Sequence, residues 1–569
     1  MRAPEKATSV LVVTGGLLNE KETSVWRALR KQRLQWRAAK SAWLDLKIKM
    51  VMAESVTLGQ VHRLVAGGNT KQAVKNYFKQ QENLGTPELT EVVLATLLRA
   101  EGLPYETASV DDLFAASAAT RAKVDACAAV FLSATLLRDL SEVEPLVKLV
   151  KRPWNRVMIG GALAGLLADE WPGMPEVDVL AVGYGEYLVP ILARYIKSGF
   201  TDLNPALPAR VALRRFTKVL YSGVPATKSL DDLVTPDWAA SARDYGLRFP
   251  MIYYESVRGC PYRCNFCNYP YLFDDTKFRY KSARKIADDW QRYKDELGVE
   301  YISCLDSLFT MPRRRLAELC EELVRRKLDI KWICYARADD LARRDIALMM
   351  KEAGAHQVQI GIESGDQDIL DNMDKQCTVE ANQQALVNCR AVGLTSVVSL
   401  IVGFPGECAA TIERTYRFLE QSQPDFYFLA TFSTRVAGVP ILNQENRERF
   451  ALESDANPHT VAPYWSHRTM NSMEVGNQVR ALHQRLMANR VSLNAPMFYG
   501  GLLRYAPSQR DDLLDFQQAA VSRYPLVRRL FDASNAWLDR KLAADFARWH
   551  EKVAATPKPA YSNHQHSAT

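Results

Sequence analysis

The chain has no stretch approaching the roughly 20 apolar residues that a membrane-spanning helix needs. Its best approximation, VMIGGALAGLLADEW, runs into Asp169 and Glu170, so no membrane partner is expected. A targeting segment is also missing from this reading: MRAPEKATSVLVVTGG holds a short apolar run without a small-residue cleavage site, and it reads as a first strand. Cysteines are few, 10 in 569 residues with only three clustered, which excludes a disulfide framework and suits a reducing cytoplasm. Charge of one sign is scarce as well. The net charge of +8 is spread along the chain, apart from runs such as Arg313-Arg314-Arg315, so the basic surface reads as solvated and no nucleic-acid partner is expected. No Ser–His–Asp set or carboxylate pair stands out.

What is present is ordinary globular material. Hydrophobic residues make up 47% and charged residues 24%, and the length calls for roughly two to four domains. Residues 1–220 alternate strand and helix. Val10 to Val13 reads as a buried strand ending at Gly15-Gly16, and TPELTEVVLATLLRAEGLPYETASV as a helix closed by Gly102 and then a strand. ACAAVFLSATLL, RVMIGGALAG and VDVLAVGYGEYLVPILARYI each give an apolar strand, a small-residue turn and a helix start. Repetition of this unit predicts a doubly wound parallel sheet whose ligands sit at the carboxyl ends of the strands. Residues 19–85 interrupt the pattern. They look helical, with Trp26, Leu29, Trp36 and Trp43 near one face, and they predict an insertion packed on the sheet or covering a ligand at its edge.

Residues 221–250 read as a linker, and a second alternating series follows over 251–430. MIYYESV, VEYISCLDS, IKWICYARA, HQVQIGIESG and TSVVSLIVGFPGE are strands separated by helices, the first helix capped by Ser282 and ended by Gly298. The series is long enough to curl into a full or partial (β/α) barrel. Residues 431–555 predict a mostly helical region over the barrel mouth, and 556–569 a disordered polar tail.

The most specific stretch is RGCPYRCNFCNYP, which sets Cys260, Cys264 and Cys267 within eight positions and offers no fourth cysteine. A structural zinc site wants four ligands. Three thiolates on one loop suit three corners of a [4Fe–4S] cube whose remaining iron stays open.

This C-x3-C-x2-C loop after a first barrel strand resembles the radical S-adenosylmethionine (SAM) superfamily. Phe266 stands at the family's aromatic position near the SAM adenine. Asp306 in GVEYISCLDSLFT, Arg337 in CYARADDL, Glu363 in IGIESGDQDILDNMDK, and VSLIVGFPGE resemble its later strand motifs in order, so the likeness runs from about Tyr254 to Glu420. It implies a [4Fe–4S] cluster on Cys260, Cys264 and Cys267, with SAM contacts from Phe266, Asp306, Arg337 and Glu363.

The first part resembles the Rossmann-like cobalamin-binding domain that often precedes this module. Ser133 and Thr135 follow its third strand, Gly160 and Gly161 its fourth, and GYGEYL, with Gly183, Tyr184, Gly185 and Glu186, its fifth. Small residues there let the backbone approach a bulky corrin. The D-x-H-x-x-G signature of the best-known cobalamin fold is absent, and the early part has only His62, in GQVHRLVAGG, without the flanking landmarks. Cobalt without a histidine ligand is therefore expected.

The combined resemblance implies a cobalamin-dependent radical SAM methyltransferase of specialised metabolism, such as antibiotic biosynthesis. One SAM would methylate cobalamin and a second would yield a 5′-deoxyadenosyl radical that activates an unreactive carbon or phosphorus position. A rearrangement or cyclisation, a non-radical tryptophan 2-C-methylase-like transfer, and a sensor without turnover are the alternatives. The implied partners are a small-molecule or peptide substrate and an external electron donor such as flavodoxin or ferredoxin. His467, Arg468 and Trp465 in PYWSHRTMNS read either as substrate or cobalamin contacts or as packing.

Overall fold

The computed structural model describes residues 9–16, 42–67, 70–79, 86–226, 229–273, 277–434, 438–455 and 462–555. Two seven-stranded sheets organise them. The first comprises β1 (Val10–Thr14), β2 (Tyr105–Ser109), β3 (Ala129–Ser133), β4 (Arg156–Gly160), β5 (Val179–Val182), β6 (Arg210–Arg214) and β7 (Thr217–Tyr221), in the order β2-β1-β3-β4-β5-β7-β6. All pairings are parallel except that of β6 with β7. Strands such as VLVVT and AVFLS are buried throughout, as a parallel sheet covered by helices on both faces requires. Val13, Leu132 and Ile159 pack on one face, and Val12, Phe131 and Met158 on the other. The chain leaves β1 toward β2 on one side and toward β3 on the other, and this reversal opens a crevice at the strands' carboxyl ends.

The second sheet contains β8 (Met251–Tyr254), followed by the short antiparallel pair β9 (Val257–Arg258) and β10 (Arg279–Tyr280). It continues with β11 (Tyr301–Cys304), β12 (Lys331–Ala336), β13 (Ala355–Glu363), β14 (Thr395–Val402) and β15 (Phe426–Thr431). Three short strands, β16 (Glu453–Ser454), β17 (Trp465–His467) and β18 (Met470–Asn471), form a separate sheet, and β19 (Leu493–Asn494) rejoins the main one. The order β19-β15-β14-β13-β12-β11-β8 is parallel throughout, and among the described residues its two edges do not pair. Between sheet and outer helices lies an aromatic core with Trp290, Tyr293 and Trp332 fully buried. The Ser282 side chain accepts from Lys285 N–H, and Gly298, at φ +63°, closes the same helix.

Three expectations change. Residues 221–250 are not irregular throughout: Trp238–Tyr245 is a helix, capped by Asp237 and anchored by the fully buried Trp238. The region after 430 contributes strand β19 to the main sheet as well as helices. The described part of the insertion packs against the C-terminal helices rather than on the first sheet. Its helix Ala42–Ala66 buries Leu44, Val51, Ala53 and Leu58 around much of its circumference, and helices Ser472–Ala488, Arg510–Ser522 and Pro525–Ala555 supply the apolar surface that requires. Glu54 pairs with Arg480 at 2.5 Å, Trp43 meets the edge of Trp537 at 5.3 Å, and Tyr77 donates to the Phe498 carbonyl at 2.6 Å. The start of this helix also reaches the N-terminal unit, where Asp45 lies 3.8 Å from Arg138. Trp26, Leu29, Trp36 and the tail 556–569 lie outside the described residues. Among the described residues no helix is long and apolar enough to cross a membrane.

Candidate active site

The cysteine loop leaves β8 at Glu255 and is fixed before it reaches Cys260. Buried Asp306 accepts hydrogen bonds from Ser256 N–H (2.6 Å), Ser256 Oγ (2.6 Å) and Val257 N–H (2.8 Å). Burial pushes its pKa up to about 6. Both its oxygens hold the chain that carries the cysteines, a positioning role distinct from the cofactor contact expected of it. Gly259 then turns at φ +74°, and a Cβ there would stand 2.5 Å from the Lys277 carbonyl, so only glycine fits without rearrangement.

Cys260, Cys264 and Cys267 are all free thiols, and a Cys267 N–H to Cys264 carbonyl bond of 3.1 Å closes the turn between the last two. Burial raises all three thiol pKa values, that of Cys267 to about 11, and the charge of neighbouring cysteines adds to the rise at Cys260 and Cys267. Among the described residues no three His, Cys, Asp or Glu side chains converge as they would around a single ion. Thiolates on a mononuclear zinc must all reach one atom, whereas on a cube each binds a different iron and they stand further apart. Three free thiols on one loop are one ligand short of a structural zinc site and suit three corners of a cube. Cys304 is buried in the sheet core and does not join it.

Phe266 lies half-buried, with the Phe404 ring of the GFPGE turn 6.5 Å away and Lys375 Nζ 5.6 Å from its centroid. Lys375 also pairs with Glu363 at 3.1 Å. Burial works against that ammonium, but the charges of Glu363 and Cys264 outweigh it and hold its pKa above the usual lysine range. Glu363 adopts φ +65°, a left-handed conformation a non-glycine residue keeps only when its surroundings enforce it. Arg337 stacks over Tyr262 of the cysteine loop at 3.8 Å and donates to the Lys375 and Gln376 carbonyls at 2.7 and 2.9 Å. Phe266, Arg337, Glu363 and Lys375 thus form one cluster beside Cys264.

A cavity of about 610 Å³ opens between the two sheets. The first sheet contributes Ser133, Thr135, Gly160, Gly161, Gly183, Gly185 and Glu186, all at strand carboxyl ends. The second contributes Tyr253, Glu255, Arg258, Tyr269, Leu305 and Tyr335. Gly161, at φ +97°, is the tightest point, since a Cβ would meet Thr135 Oγ1 at 2.5 Å and its N at 2.7 Å. Nothing lies within 4 Å of the same position on Gly185. Of the four candidates Gly183, Tyr184, Gly185 and Glu186, Tyr184 does not line the cavity. It is buried away from the cavity, with Phe273 at 5.3 Å. Phe266 and Glu363 do not line this cavity.

Arg258, which sequence reasoning passed over, joins the two halves. Its guanidinium donates to both Glu186 oxygens (2.9 and 2.7 Å) and to Glu255 Oε2 (3.1 and 2.8 Å), over the Tyr184 ring at 5.0 Å. Burial opposes the Glu186 carboxylate, but Arg258 outweighs it and holds the pKa below the usual range. The only signal in sequence is an arginine two residues before the first cysteine.

The C-terminal stretch PYWSHRTMNS backs the site without entering the cavity. His467 Nε2 donates to the Gly403 carbonyl (3.1 Å), its ring stacks on Trp465 (5.4 Å), and Arg468 is exposed. The C-terminal residue that does line the cavity is Tyr499. His62 is also remote, bonded to Tyr524 at 2.8 Å, and among the described residues no histidine lines the cavity.

Residues 254–419 match the family model described as the radical SAM superfamily. The chain carries a radical SAM domain. It is 26% identical over 329 residues to an anaerobic magnesium-protoporphyrin IX monomethyl ester cyclase of Rubrivivax gelatinosus, covering 57% of this chain and 58% of that protein. The chain thus spans little more than half the length of this relative. Its fold is similar to the radical SAM methyltransferase TsrM of Kitasatospora setae, solved with tryptophan and a SAM analogue (TM-score 0.57, 16% identity, 80% of this chain and 98% of that one). It is also similar to OxsB, a cobalamin-dependent SAM radical enzyme solved with aqua-cobalamin (TM-score 0.53, 16% identity, 83% and 74%).

Proposed function

We propose that this chain is a cobalamin-dependent radical SAM methyltransferase. It moves a methyl group from SAM, by way of cobalamin, to an unactivated carbon or phosphorus of a small molecule or peptide precursor in specialised metabolism. The observation that carries this reading is the shared cavity, into which the turns of the doubly wound sheet and the strand ends of the radical SAM domain both open. Cys260, Cys264 and Cys267 hold the [4Fe–4S] cluster, Phe266, Arg337 and Glu363 border the SAM beside it, and Asp306 fixes the strand that carries the loop. Ser133, Thr135, Gly160, Gly161, Gly183 and Gly185 bring backbone and hydroxyls close to the corrin, and among the described residues no lining histidine competes for cobalt. When bound, the cluster supplies an electron to SAM and cobalamin carries the methyl group. Arg258 and Glu186 keep the two halves in register, and the apolar walls exclude water from the reacting space. An external donor such as flavodoxin or ferredoxin delivers the electron, in the cytoplasm.

Similarity to a cyclase favours a second reading, cyclisation or rearrangement without methyl transfer. Anaerobic turnover with reductant separates the readings. Release of both 5′-deoxyadenosine and S-adenosylhomocysteine supports radical methylation, S-adenosylhomocysteine alone a non-radical transfer, and 5′-deoxyadenosine alone the second reading. Release of neither contradicts an enzyme of this class.

A further inference from the structure

The walls of the cavity between the sheets differ in kind. On the radical SAM side, Tyr253, Leu305 and Tyr335 follow one another across β8, β11 and β12 and form an apolar shelf. Leu305 and Tyr335 are each 40% exposed although they sit inside a cavity, and Leu136 on the opposite wall is 49% exposed. Apolar surface left open at a concave site is surface that a bound molecule covers.

The charge of the lining is one-sided. Among the described residues the cavity is lined by the carboxylates of Glu186 and Glu255 and the guanidinium of Arg258, with Glu88, which has an interaction of its own, further along the wall. Arg258 spends its hydrogen bonds on Glu186 and on Oε2 of Glu255. Oε1 of Glu255 makes no hydrogen bond or ion pair among the described residues, and its side chain is 26% exposed at the cavity wall. Lys281 does not line the cavity; it pairs with Asp289 at 3.9 Å and its charge also acts on Glu255 from behind the wall. A carboxylate oxygen with an unfilled hydrogen-bonding place favours a donor carrying positive charge, and an anion brought beside it can neither donate to it nor escape its charge.

We propose that the substrate presents an ammonium group on an apolar, aromatic-sized body: Glu255 receives the ammonium and the Tyr253–Leu305–Tyr335 shelf packs the body. The inference rests on the proposed function for placing the substrate in this cavity, and it turns away carboxylate, phosphate and phosphonate substrates.

The test uses the full chain reconstituted anaerobically with cluster and hydroxocobalamin, and three probes of one shape: phenethylamine, 2-phenylethanol and phenylacetate. Calorimetric titration should rank phenethylamine first by roughly tenfold over the alcohol, the scale of one charge-assisted hydrogen bond, with phenylacetate weakest. Glu255→Gln keeps the shape and a donor-acceptor group beside Arg258. It should remove the preference for phenethylamine while leaving affinity for the alcohol within about twofold of wild type. Phenylacetate binding as tightly as phenethylamine overturns the proposal, as does absence of phenethylamine binding or an equal loss of all three probes in the variant. Iron and cobalamin contents of the same samples judge the proposed function separately. A chain lacking both that still prefers phenethylamine overturns the cofactor assignment and leaves the charge preference standing.

Discussion

Arg258 and Glu186 lie 72 positions apart in sequence and meet in a two-pronged ion pair of 2.9 and 2.7 Å, with both side chains at least nine-tenths buried. One residue belongs to the strand that leads into the cysteines, the other to the first turn of the helix after the glycine turn of β5. The pair is therefore a strut between the two sheets at the edge of their shared cavity.

Removing one member of a buried pair strands the other's charge. Arg258→Met should destabilise the chain by about 3–5 kcal/mol, and Glu186→Gln by less, because its amide still accepts from the guanidinium. Urea denaturation of the two variants and the double variant measures the coupling. Strictly additive effects would mean that the strut carries no energy.

The two glycines of the cofactor turns should behave differently. Gly161→Ala places a Cβ 2.5 Å from Thr135 Oγ1 at φ +97° and should cost about 1–3 kcal/mol of stability. Gly185→Trp enters open space, so it should leave the melting temperature within about 2 °C of wild type while abolishing hydroxocobalamin retention. Unfolding of the second variant, or full cobalamin retention in it, contradicts this account of the cavity.

Cys260→Ala, Cys264→Ala and Cys267→Ala should each lose stable cluster assembly, read as iron and sulfide per chain. Cys127, Cys320 and Cys389 are buried in apolar cores and should be replaceable by alanine with full iron content. Full iron and sulfide in Cys264→Ala would refute the ligand assignment.

Much of this was legible in the sequence because it is local. Buried strands, glycine turns, the Ser282 cap and the cysteine spacing are written within a few residues of where they act. The Arg258–Glu186 strut, the docking of the helix Ala42–Ala66 on helices some 430 residues later, and Tyr499 at the cavity wall were not. Each depends on how the two sheets face one another, which no local pattern encodes. Hairpin β6–β7 escaped because RVALR, an exposed edge strand with arginine at both ends, lacks the apolar run that marked its neighbours. The bonds of Asp306 could not be read either, since a carboxylate at that motif position suits a cofactor contact as well as a chain clamp.

The GFPGE turn should contribute to the pH dependence of stability at both ends. Gly403 N–H donates to Glu407, whose burial raises its pKa to about 8, and the Gly403 carbonyl accepts from His467, whose burial lowers its pKa to about 4. A raised carboxyl pKa gives stability that is full below the unfolded value of 4.5 and is lost as pH rises through about 8. A lowered imidazole pKa gives stability that is full above 6.5 and is lost as pH falls toward 4. Glu407→Gln should flatten the decline in the urea midpoint between pH 6 and 8, and His467→Gln should shrink the acid decline, which His356 and His483 share because burial lowers their pKa values to about 4 as well. A decline between pH 6 and 8 that is unchanged in Glu407→Gln assigns it to another group.

The central claim is that the cobalamin held at the turns of the first sheet lies within reach of the cluster on the cysteine loop, and electron paramagnetic resonance of the doubly loaded full chain tests it most directly. Reducing the cluster in a sample held as cob(II)alamin should broaden or split the cobalt signal through dipolar coupling, and the effect should vanish in Cys264→Ala. The cobalt spectrum should also lack histidine-nitrogen splitting. An unchanged cobalt signal on reduction of a fully occupied cluster would place the two centres apart and contradict the account.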